Sequence, residues 1–292
     1  MTRRGGIDVV LVPWDSGRRG WRMGAGPLRL AERGLFERLR DLGHDVRRID
    51  IELPSDASSD AHSAYLLAAD IAAAVRRATN ERRFPLVIAG NCNSALGTIA
   101  GLDAAATGVV WFDAHGDYNT PETSVSGFLD GMSLATLTGC CCVGEAARIP
   151  GFAPVAEDTV ALIGARDLDD GERKLLDGSG VRLIAPGAAI NEQLAAAVES
   201  WPAGVDQAYV HVDLDVLDPD EARVNEYAAA GGLTVPDLFI CVDAVASHSP
   251  LAAAAVTALD PDADADGRAL AAAIAVIEQI VTRADLETPA RS

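Results

Sequence analysis

The regular alternation of short apolar runs with segments of helical periodicity is the strongest constraint on the fold. Strands are predicted at residues 7–12, 45–49, 86–89, 108–112, 159–163, 181–184, 208–212 and 253–259. Helices are predicted at residues 27–42, 61–79, 94–105, 131–138, 191–200, 235–247 and 268–282. Continuous apolar strands that alternate with helices are typical of a largely parallel sheet with helices on both faces. The pattern therefore predicts an α/β fold.

Length and charge narrow the class of protein further. A chain of 292 residues with 49% hydrophobic residues can build one sizeable α/β core. We predict one domain over residues 1–283, a polar loop at 55–60 and a polar tail at 284–292. The net charge of -19 argues against nucleic acid or an anionic membrane as a partner. Without a stretch of transmembrane length or a signal-peptide core, a cytoplasmic protein is predicted.

Two acid-rich clusters directly follow two of the predicted strands. Asp113, His115 and Asp117 come after the strand at 108–112, and Asp213 and Asp215 come after the strand at 208–212. Side chains two residues apart in an extended segment point the same way. The carboxyl ends of parallel strands also share one edge of the sheet, where ligands of α/β folds bind. The clusters are therefore expected to meet.

Clustered carboxylates repel one another unless a cation lies between them, so the clusters indicate one or two divalent metal ions. Oxygen donors with a single imidazole suit Mn²⁺ or a similar ion. The alternative is that these aspartates only cap the helices that follow their strands. That alternative explains one aspartate well, but the two paired spacings together favour a metal site.

The residues around both clusters resemble a known family. Residues 111–132 read WFDAHGDYNTPETSVSGFLDGM, and residues 212–234 read VDLDVLDPDEARVNEYAAAGGLT. Both segments resemble signatures of the arginase and agmatinase (ureohydrolase) family. Residues 163–172 and 9–27 resemble two further segments of that family, so the resemblance covers nearly the whole chain.

The resemblance implies a three-layer α/β/α domain with an eight-stranded, mostly parallel sheet. It also implies a manganese enzyme in which metal-bound hydroxide attacks a linear amidine or guanidino C–N bond of a small molecule. Two Mn²⁺ ions bridged by hydroxide are typical of the family. A homo-oligomer, either a trimer or a hexamer, is also implied.

Transferred residue by residue, the resemblance gives this chain a site. The family's metal ligands fall on Cys92, Asp113, His115, Asp117, Asp213 and Asp215. Asp117 would orient the hydroxide, and Asp130 stands where arginases have their proton shuttle. Asn119, Ser126 and Asp169 fall where arginases hold the amino-acid end of the substrate, although all three are also ordinary loop residues.

The sixth ligand position departs from the family pattern, because Cys92 replaces a metal-binding His. Thiolate is softer than imidazole and matches Mn²⁺ poorly. Cys92 could still ligate, weaken the binding of that ion or favour a softer metal, or it could be only a small buried residue. A hydrolase with one metal, in which Cys92 fills no metal role, is a further alternative. Its neighbours Asn91 and Asn93 could supply a carbonyl oxygen instead.

Three further departures concern the substrate. Phe128 and Asp130 replace the Asn and His of arginases, and Ala258 replaces the Glu that holds the guanidinium group. These changes argue against plain arginine and favour a hydroxyguanidino, other guanidino or formimino compound. The alternative is a ureohydrolase homologue that has lost catalysis and acts as a binding or assembly subunit.

Overall fold

The computed structural model describes residues 5–53 and 59–284. Residues 55–58 of the predicted loop and 285–292 of the predicted tail lie outside this part. The strands are β1 Ile7–Val12, β2 Trp14–Asp15, β3 Arg18–Arg19, β4 Val46–Asp50, β5 Phe84–Ala89, β6 Thr107–Phe112, β7 Val160–Ile163, β8 Arg182–Ile184, β9 Gln207–Asp213 and β10 Leu251–Thr257. The helices are α1 Gly26–Glu32, α2 Leu35–Asp41, α3 Asp60–Asn80, α4 Ser94–Gly101, α5 Ser133–Leu137, α6 Val143–Ala146, α7 Asp170–Asp177, α8 Ile190–Glu199, α9 Val235–His248 and α10 Arg268–Arg283.

Eight strands form one sheet in the order β4-β1-β5-β10-β9-β6-β7-β8. Every neighbouring pair in that sheet is parallel. The central strands β1, β5, β6 and β10 are buried over their whole length, which explains their continuous apolar sequences. The prediction of an eight-stranded parallel α/β fold is confirmed. The short antiparallel pair β2–β3 was not predicted.

Helices cover both faces of this sheet and create two hydrophobic cores. On one face, α1, α2, α8, α9 and α10 contribute side chains such as Leu30, Leu194 and Ile277. On the other face, α3, α4, α5 and α7 contribute side chains such as Leu67, Ile99 and Leu134. The three-layer α/β/α architecture is therefore confirmed. No helix among the described residues is long and apolar enough to cross a membrane.

The predicted helix at 27–42 is wrong in one respect, because the structure divides it into α1 and α2. Gly34 separates them with a φ of 83°, a left-handed conformation that glycine adopts without steric cost. The predicted helix at 94–105 ends at Gly101, and Asp103 caps a separate short turn at 104–106. The predicted strand at 253–259 is also displaced: β10 ends at Thr257, and Ala258 has a φ of 66°.

The helices α6 and α7 were not predicted. Each is short, and α7 (DGERKLLD) is largely polar, so a hydrophobic stripe is hard to recognise in its sequence. The bounds of the other elements differ from the predictions by a residue or two, which is the ordinary uncertainty of helix and strand ends.

Candidate active site

The two acid clusters meet because their strands are neighbours in the sheet. The order β5-β10-β9-β6 places four consecutive carboxyl ends at one edge. Cys92 follows β5, Ala258 follows β10, Asp213 ends β9, and Asp113 follows β6. Segments that are far apart in sequence therefore converge, as predicted for ligand sites of open parallel sheets.

On one side of Asp113 lies a group with an imidazole. Donor atoms of Asp113, His115 and Asp215 lie within 4.8 Å of one another. His115 Nδ1 is 3.2 Å from Asp113 Oδ1 and 3.4 Å from Asp215 Oδ2. Burial alone would lower the pKa of His115, but the hydrogen bond with Asp113 and the charge of Asp215 raise that pKa to about 9. This is the first group of atoms that could hold an ion.

A second group that also contains Asp113, the Cys92 side of the site, carries a thiol in place of an imidazole. Donor atoms of Cys92, Asp113 and Asp117 also lie within 4.8 Å of one another. The Cys92 thiol donates a hydrogen bond to Asp213 Oδ2 at 3.0 Å. Burial, and then the charges of neighbouring carboxylates, raise the pKa values of Cys92, Asp117 and Asp213 well above their usual ranges. Without an ion, this side of the site therefore favours bound protons.

Several features of this cluster fit a cation. Asp117 Oδ2 is buried and has no hydrogen-bond partner within the described part of the chain. Asp117 also has a φ of 49°, a left-handed conformation that is costly for a residue with a side chain. Buried carboxylates are stable when charged only if they are paired or coordinate a metal. A divalent ion would satisfy the unpaired oxygen and offset the repulsion among the aspartates.

A buried layer fixes the orientation of the shared carboxylate of Asp113. Its Oδ2 accepts a hydrogen bond from Trp111 Nε1 at 3.1 Å. The indole stacks on His211 with ring centroids 3.7 Å apart, and His211 Nδ1 pairs with the Tyr209 hydroxyl at 2.8 Å. Burial lowers the pKa of His211 to about 3, so this imidazole is neutral at physiological pH. The layer therefore orients Asp113 without adding charge.

Asp215 is also held in place by neighbouring groups. Its Oδ1 accepts a hydrogen bond from the backbone N–H of Ala114 at 3.2 Å, and its Oδ2 accepts one from Asn225 Nδ2 at 3.3 Å. Asn225 Nδ2 also donates to the carbonyl oxygen of Ala258 at 3.2 Å. The amide thus joins β10 to the second acid cluster where the family resemblance implies a substrate-holding Glu.

Asp130 lies beside the loop that follows β5. Its two oxygens accept hydrogen bonds from Asn91 Nδ2 and from the backbone N–H of Asn93, both at 2.9 Å. Burial raises the pKa of Asp130 to about 7 against the effect of these bonds, with smaller contributions from Asp15 and Asp113. The side-chain oxygen Oδ1 of Asn91 accepts a hydrogen bond from the backbone N–H of Ser16 at 3.2 Å.

The three predicted substrate-binding residues are brought together with the acid clusters. They line the same cavity, whose volume is about 330 Å³. Asn119 Nδ2 donates to Asp169 Oδ2 at 3.0 Å, so these two side chains act as a pair. Ser126 is exposed at the mouth of the cavity. Phe128, Asp130 and Cys92 line this cavity too, whereas Ala258 is buried behind Asn225.

Sequence reasoning missed Glu172 and Asn225 as parts of the site. Glu172 is buried on α7, accepts the Tyr118 backbone N–H at 2.9 Å, and has a pKa that burial raises to about 7. Its side chain lies against Gly116, where an added Cβ would approach Glu172 Cδ to 2.6 Å. The glycine between His115 and Asp117 was therefore a usable signal for a close neighbour. Asn225 had no such signal.

The match to known proteins agrees with this geometry. The model of the arginase family matches residues 6–282. The arginase of Bacillus caldovelox is 32% identical, covering 93% of this chain and 96% of its own, and that of Bacillus subtilis is 30% identical, covering 94% and 97%. A solved structure of the Bacillus caldovelox arginase has a TM-score of 0.82 at 29% identity, covering 95% of this chain and 98% of its own.

A more distant likeness supports the fold alone. The agmatine ureohydrolase of Thermoplasma volcanium has a TM-score of 0.70 at 17% identity, covering 96% of this chain and 90% of its own. The fold and the family model agree over nearly the whole chain, so the chain belongs to the arginase family.

Proposed function

We propose that this chain is a metal-dependent amidinohydrolase that cleaves a C–N bond of a linear guanidino or amidine compound other than plain arginine. The observation that supports it most is the convergence of two groups of donor atoms on either side of Asp113. Membership of the arginase family supports the reaction class. The relatives named arginase supply the guanidino chemistry by analogy.

Asp113, His115 and Asp215 would hold one ion, and Cys92, Asp113, Asp117 and Asp213 would hold a second. When bound, divalent ions would lower the pKa of water and so supply a nucleophile at neutral pH, and they would also polarise the carbon that is attacked. Mn²⁺ suits the oxygen donors, whereas Cys92 favours a softer divalent ion. We propose that His115 and the five remaining donors together accept one or two ions.

Two carboxylates of the chain, Asp117 and Asp130, would have separate roles in the proton transfers. Asp117 would orient the attacking water, and its unpaired Oδ2 supports a role for this carboxylate in the reaction. Asp130 has a pKa of about 7 and is suited to protonate the leaving amine near neutral pH. Its hydrogen bonds to Asn91 and Asn93 fix its position in the cavity that the acid clusters also line.

Two features support a substrate other than arginine. Ala258 offers only a methyl group, and its carbonyl oxygen is engaged by Asn225. Phe128 lines the cavity where an amide would otherwise bind a polar substrate end. The pair formed by Asn119 and Asp169 remains available to a positively charged or hydroxylated part of the substrate. Hydroxyguanidino, other guanidino and formimino compounds are the proposed candidates.

The proposal is tested by assaying the full chain, loaded with Mn²⁺, Co²⁺, Ni²⁺ or Zn²⁺ in turn, against a panel of guanidino, hydroxyguanidino and formimino compounds. Release of urea, hydroxyurea, formamide or ammonia by the loaded protein is expected. The exposed variant Asp70→Asn should behave like the natural chain. Absence of turnover with all four metals would contradict the proposal.

The Cys92 thiol supports one alternative function. Its hydrogen bond to Asp213 keeps a proton where a second ion would bind. A homologue that has lost catalysis and acts as a binding or assembly subunit would show this arrangement without turnover. The trimer or hexamer and the cytoplasmic location stay predictions that size measurement and fractionation would test.

A further inference from the structure

The catalytic cavity has two unlike walls. Phe128 and Tyr227 form an aromatic wall, with ring centroids 6.1 Å apart and an interplanar angle of 25°. Met23, which is buried, adds a thioether next to them. Asp167 and Asp169 line the cavity elsewhere. No Lys or Arg is among the described residues that line it, so the lining offers a substrate carboxylate no ammonium or guanidinium partner.

Arg22, in the short 3₁₀ turn before α1, contacts the Tyr227 ring of this aromatic wall. Its guanidinium donates a hydrogen bond to the Tyr227 hydroxyl at 3.0 Å and lies 5.4 Å from the centre of the Tyr227 ring. It also forms an ion pair with Glu226, the residue before that tyrosine. Arg22 has a φ of 46°, so its own backbone is in a left-handed conformation that is strained for a residue with a side chain.

Phe128 has a second neighbour, because it also lines an adjoining cavity of about 360 Å³. The adjoining cavity is bounded by apolar side chains that include Trp14, Leu67 and Ile71. Phe128 therefore stands between the two cavities while its ring stacks on Tyr227. A side chain in this position sets both the shape and the polarity of the space where the two cavities meet.

We propose that Phe128 and Tyr227 are specificity-determining residues that contact an apolar alkyl or aryl substituent on the substrate's guanidino or amidine nitrogen. Arg22 is a positioning residue, which acts by fixing Tyr227. The proposal deepens the proposed function and rests on it. Aromatic faces offer no strong hydrogen bonds, whereas apolar groups buried against them gain affinity from the removal of water and from dispersion.

The preference is measured by calorimetric titration of the Mn²⁺-loaded full chain with methylguanidine and with benzylguanidine. The natural chain should bind benzylguanidine at least about tenfold more tightly than methylguanidine, because the phenyl ring buries more apolar surface than the methyl group does. Phe128→Asn should remove most of that ratio, chiefly by weakening the binding of benzylguanidine. Phe128→Leu, which keeps an apolar side chain, should retain the larger part of the ratio and guards against simple misfolding.

Val125 is the matched control, since it lines the same cavity but is 88% exposed and outside the aromatic wall. Val125→Ala should leave the ratio unchanged. Arg22→Gln should lower it by about threefold through the lost cation–aromatic contact and hydrogen bond, and should raise KM for benzylguanidine with little change in kcat. Equal binding of the two ligands by the natural chain, or an unchanged ratio in Phe128→Asn, would overturn the proposal.

The binding and turnover measurements distinguish a failure of the aromatic-wall proposal from a failure of the proposed function. A preserved binding ratio without turnover of any guanidino compound would contradict the proposed function and support the aromatic wall. Turnover of guanidino compounds together with equal binding of the two ligands would contradict the aromatic wall and support the proposed function.

Discussion

The two groups of donors that share Asp113 differ in how far their negative charge is offset. On the side of His115, the imidazole offsets the negative charge, and it brings the pKa of Asp113 below its usual range although burial opposes this. On the side of Cys92, no cationic side chain makes a hydrogen bond or ion pair with Asp117 or Asp213 among the described contacts, and burial raises the pKa values of both carboxyls. The Cys92 thiol therefore offers Asp117 and Asp213 no positive charge of the kind that His115 offers Asp113.

A thiol instead of an imidazole at position 92 therefore makes the charge balance of the neighbouring carboxylates more dependent on a bound ion. The imidazole of His115 partly neutralises its side of the site, although burial and the charge of Asp113 still raise the pKa of Asp215. The Cys92 side needs either bound protons or a cation, because buried like charges at short range are costly. Ion binding and proton release are therefore expected to be coupled most strongly on the Cys92 side.

The largest expected effect comes from removing the carboxylate that the two sides share. Asp113→Asn should lower turnover of the best guanidino substrate by about a thousandfold or more, because ion-assisted catalysis contributes several kcal/mol. Steady-state kinetics in saturating Mn²⁺ measures this loss. The exposed Asp70→Asn variant on α3 is the matched control. Retention of most activity in Asp113→Asn would show that the two groups do not share an ion ligand.

Restoring an imidazole on the thiol side should reduce the asymmetry. Cys92→His is expected to strengthen Mn²⁺ binding at the weaker position by about tenfold or more, because imidazole suits this ion better than a thiol does. Titration followed by elemental analysis gives the affinity and the number of ions. Cys241→Ser, a change at another buried cysteine, serves as the control. Unchanged metal content in Cys92→His would indicate that position 92 contributes no ligand.

The pH dependence of the free energy of unfolding should reveal the contribution of the Asp130 carboxyl. Its pKa of about 7 in the folded chain exceeds the ordinary value of 3.8, so the unfolded chain binds fewer protons between these pH values. The contribution of this carboxyl to stability therefore falls as the pH rises from 3.8 to about 7. Urea unfolding of the metal-free chain should show a shallower fall in Asp130→Asn. Equal pH slopes in the two proteins would contradict the raised pKa.

A further effect is expected from the layer behind Asp113. Trp111→Phe keeps a ring against His211 but removes the N–H donor to Asp113 Oδ2. Loss of one hydrogen bond to a charged group costs about 1.5–3 kcal/mol, so ion affinity should weaken by about tenfold to a hundredfold. Mn²⁺ titration measures the change. Unchanged affinity would mean that the indole N–H does not orient this carboxylate.

The sequence predicted the sheet and its acid-bearing edge because both follow from short-range patterns. Continuous apolar strands specify buried parallel pairing, and residues two apart share a face of an extended segment. The convergence of Asp113 and Asp213 followed from strand ends that share one edge. The break at Gly34 could not be predicted in the same way, because the helical periodicity of residues 27–42 continues through it.

Other parts of the site depend on contacts between distant segments. Glu172 lies on a short polar helix, and only the fold brings it against Gly116. Asn225 and Tyr227 lie in a loop with no periodic pattern, and their roles depend on Asp215 and Arg22, which approach from other elements. Asp130 was recognised by position, but its bonds to Asn91 and Asn93 required the tertiary structure.

Metal analysis of the purified full chain after saturation with Mn²⁺ and removal of free ions tests the central claim most directly. We predict one to two tightly held ions per chain, with the number falling in Asp113→Asn, which removes a donor common to both groups. A protein that retains no ion after saturation with Mn²⁺, Co²⁺, Ni²⁺ or Zn²⁺ would contradict the proposal that these acids form a metal centre.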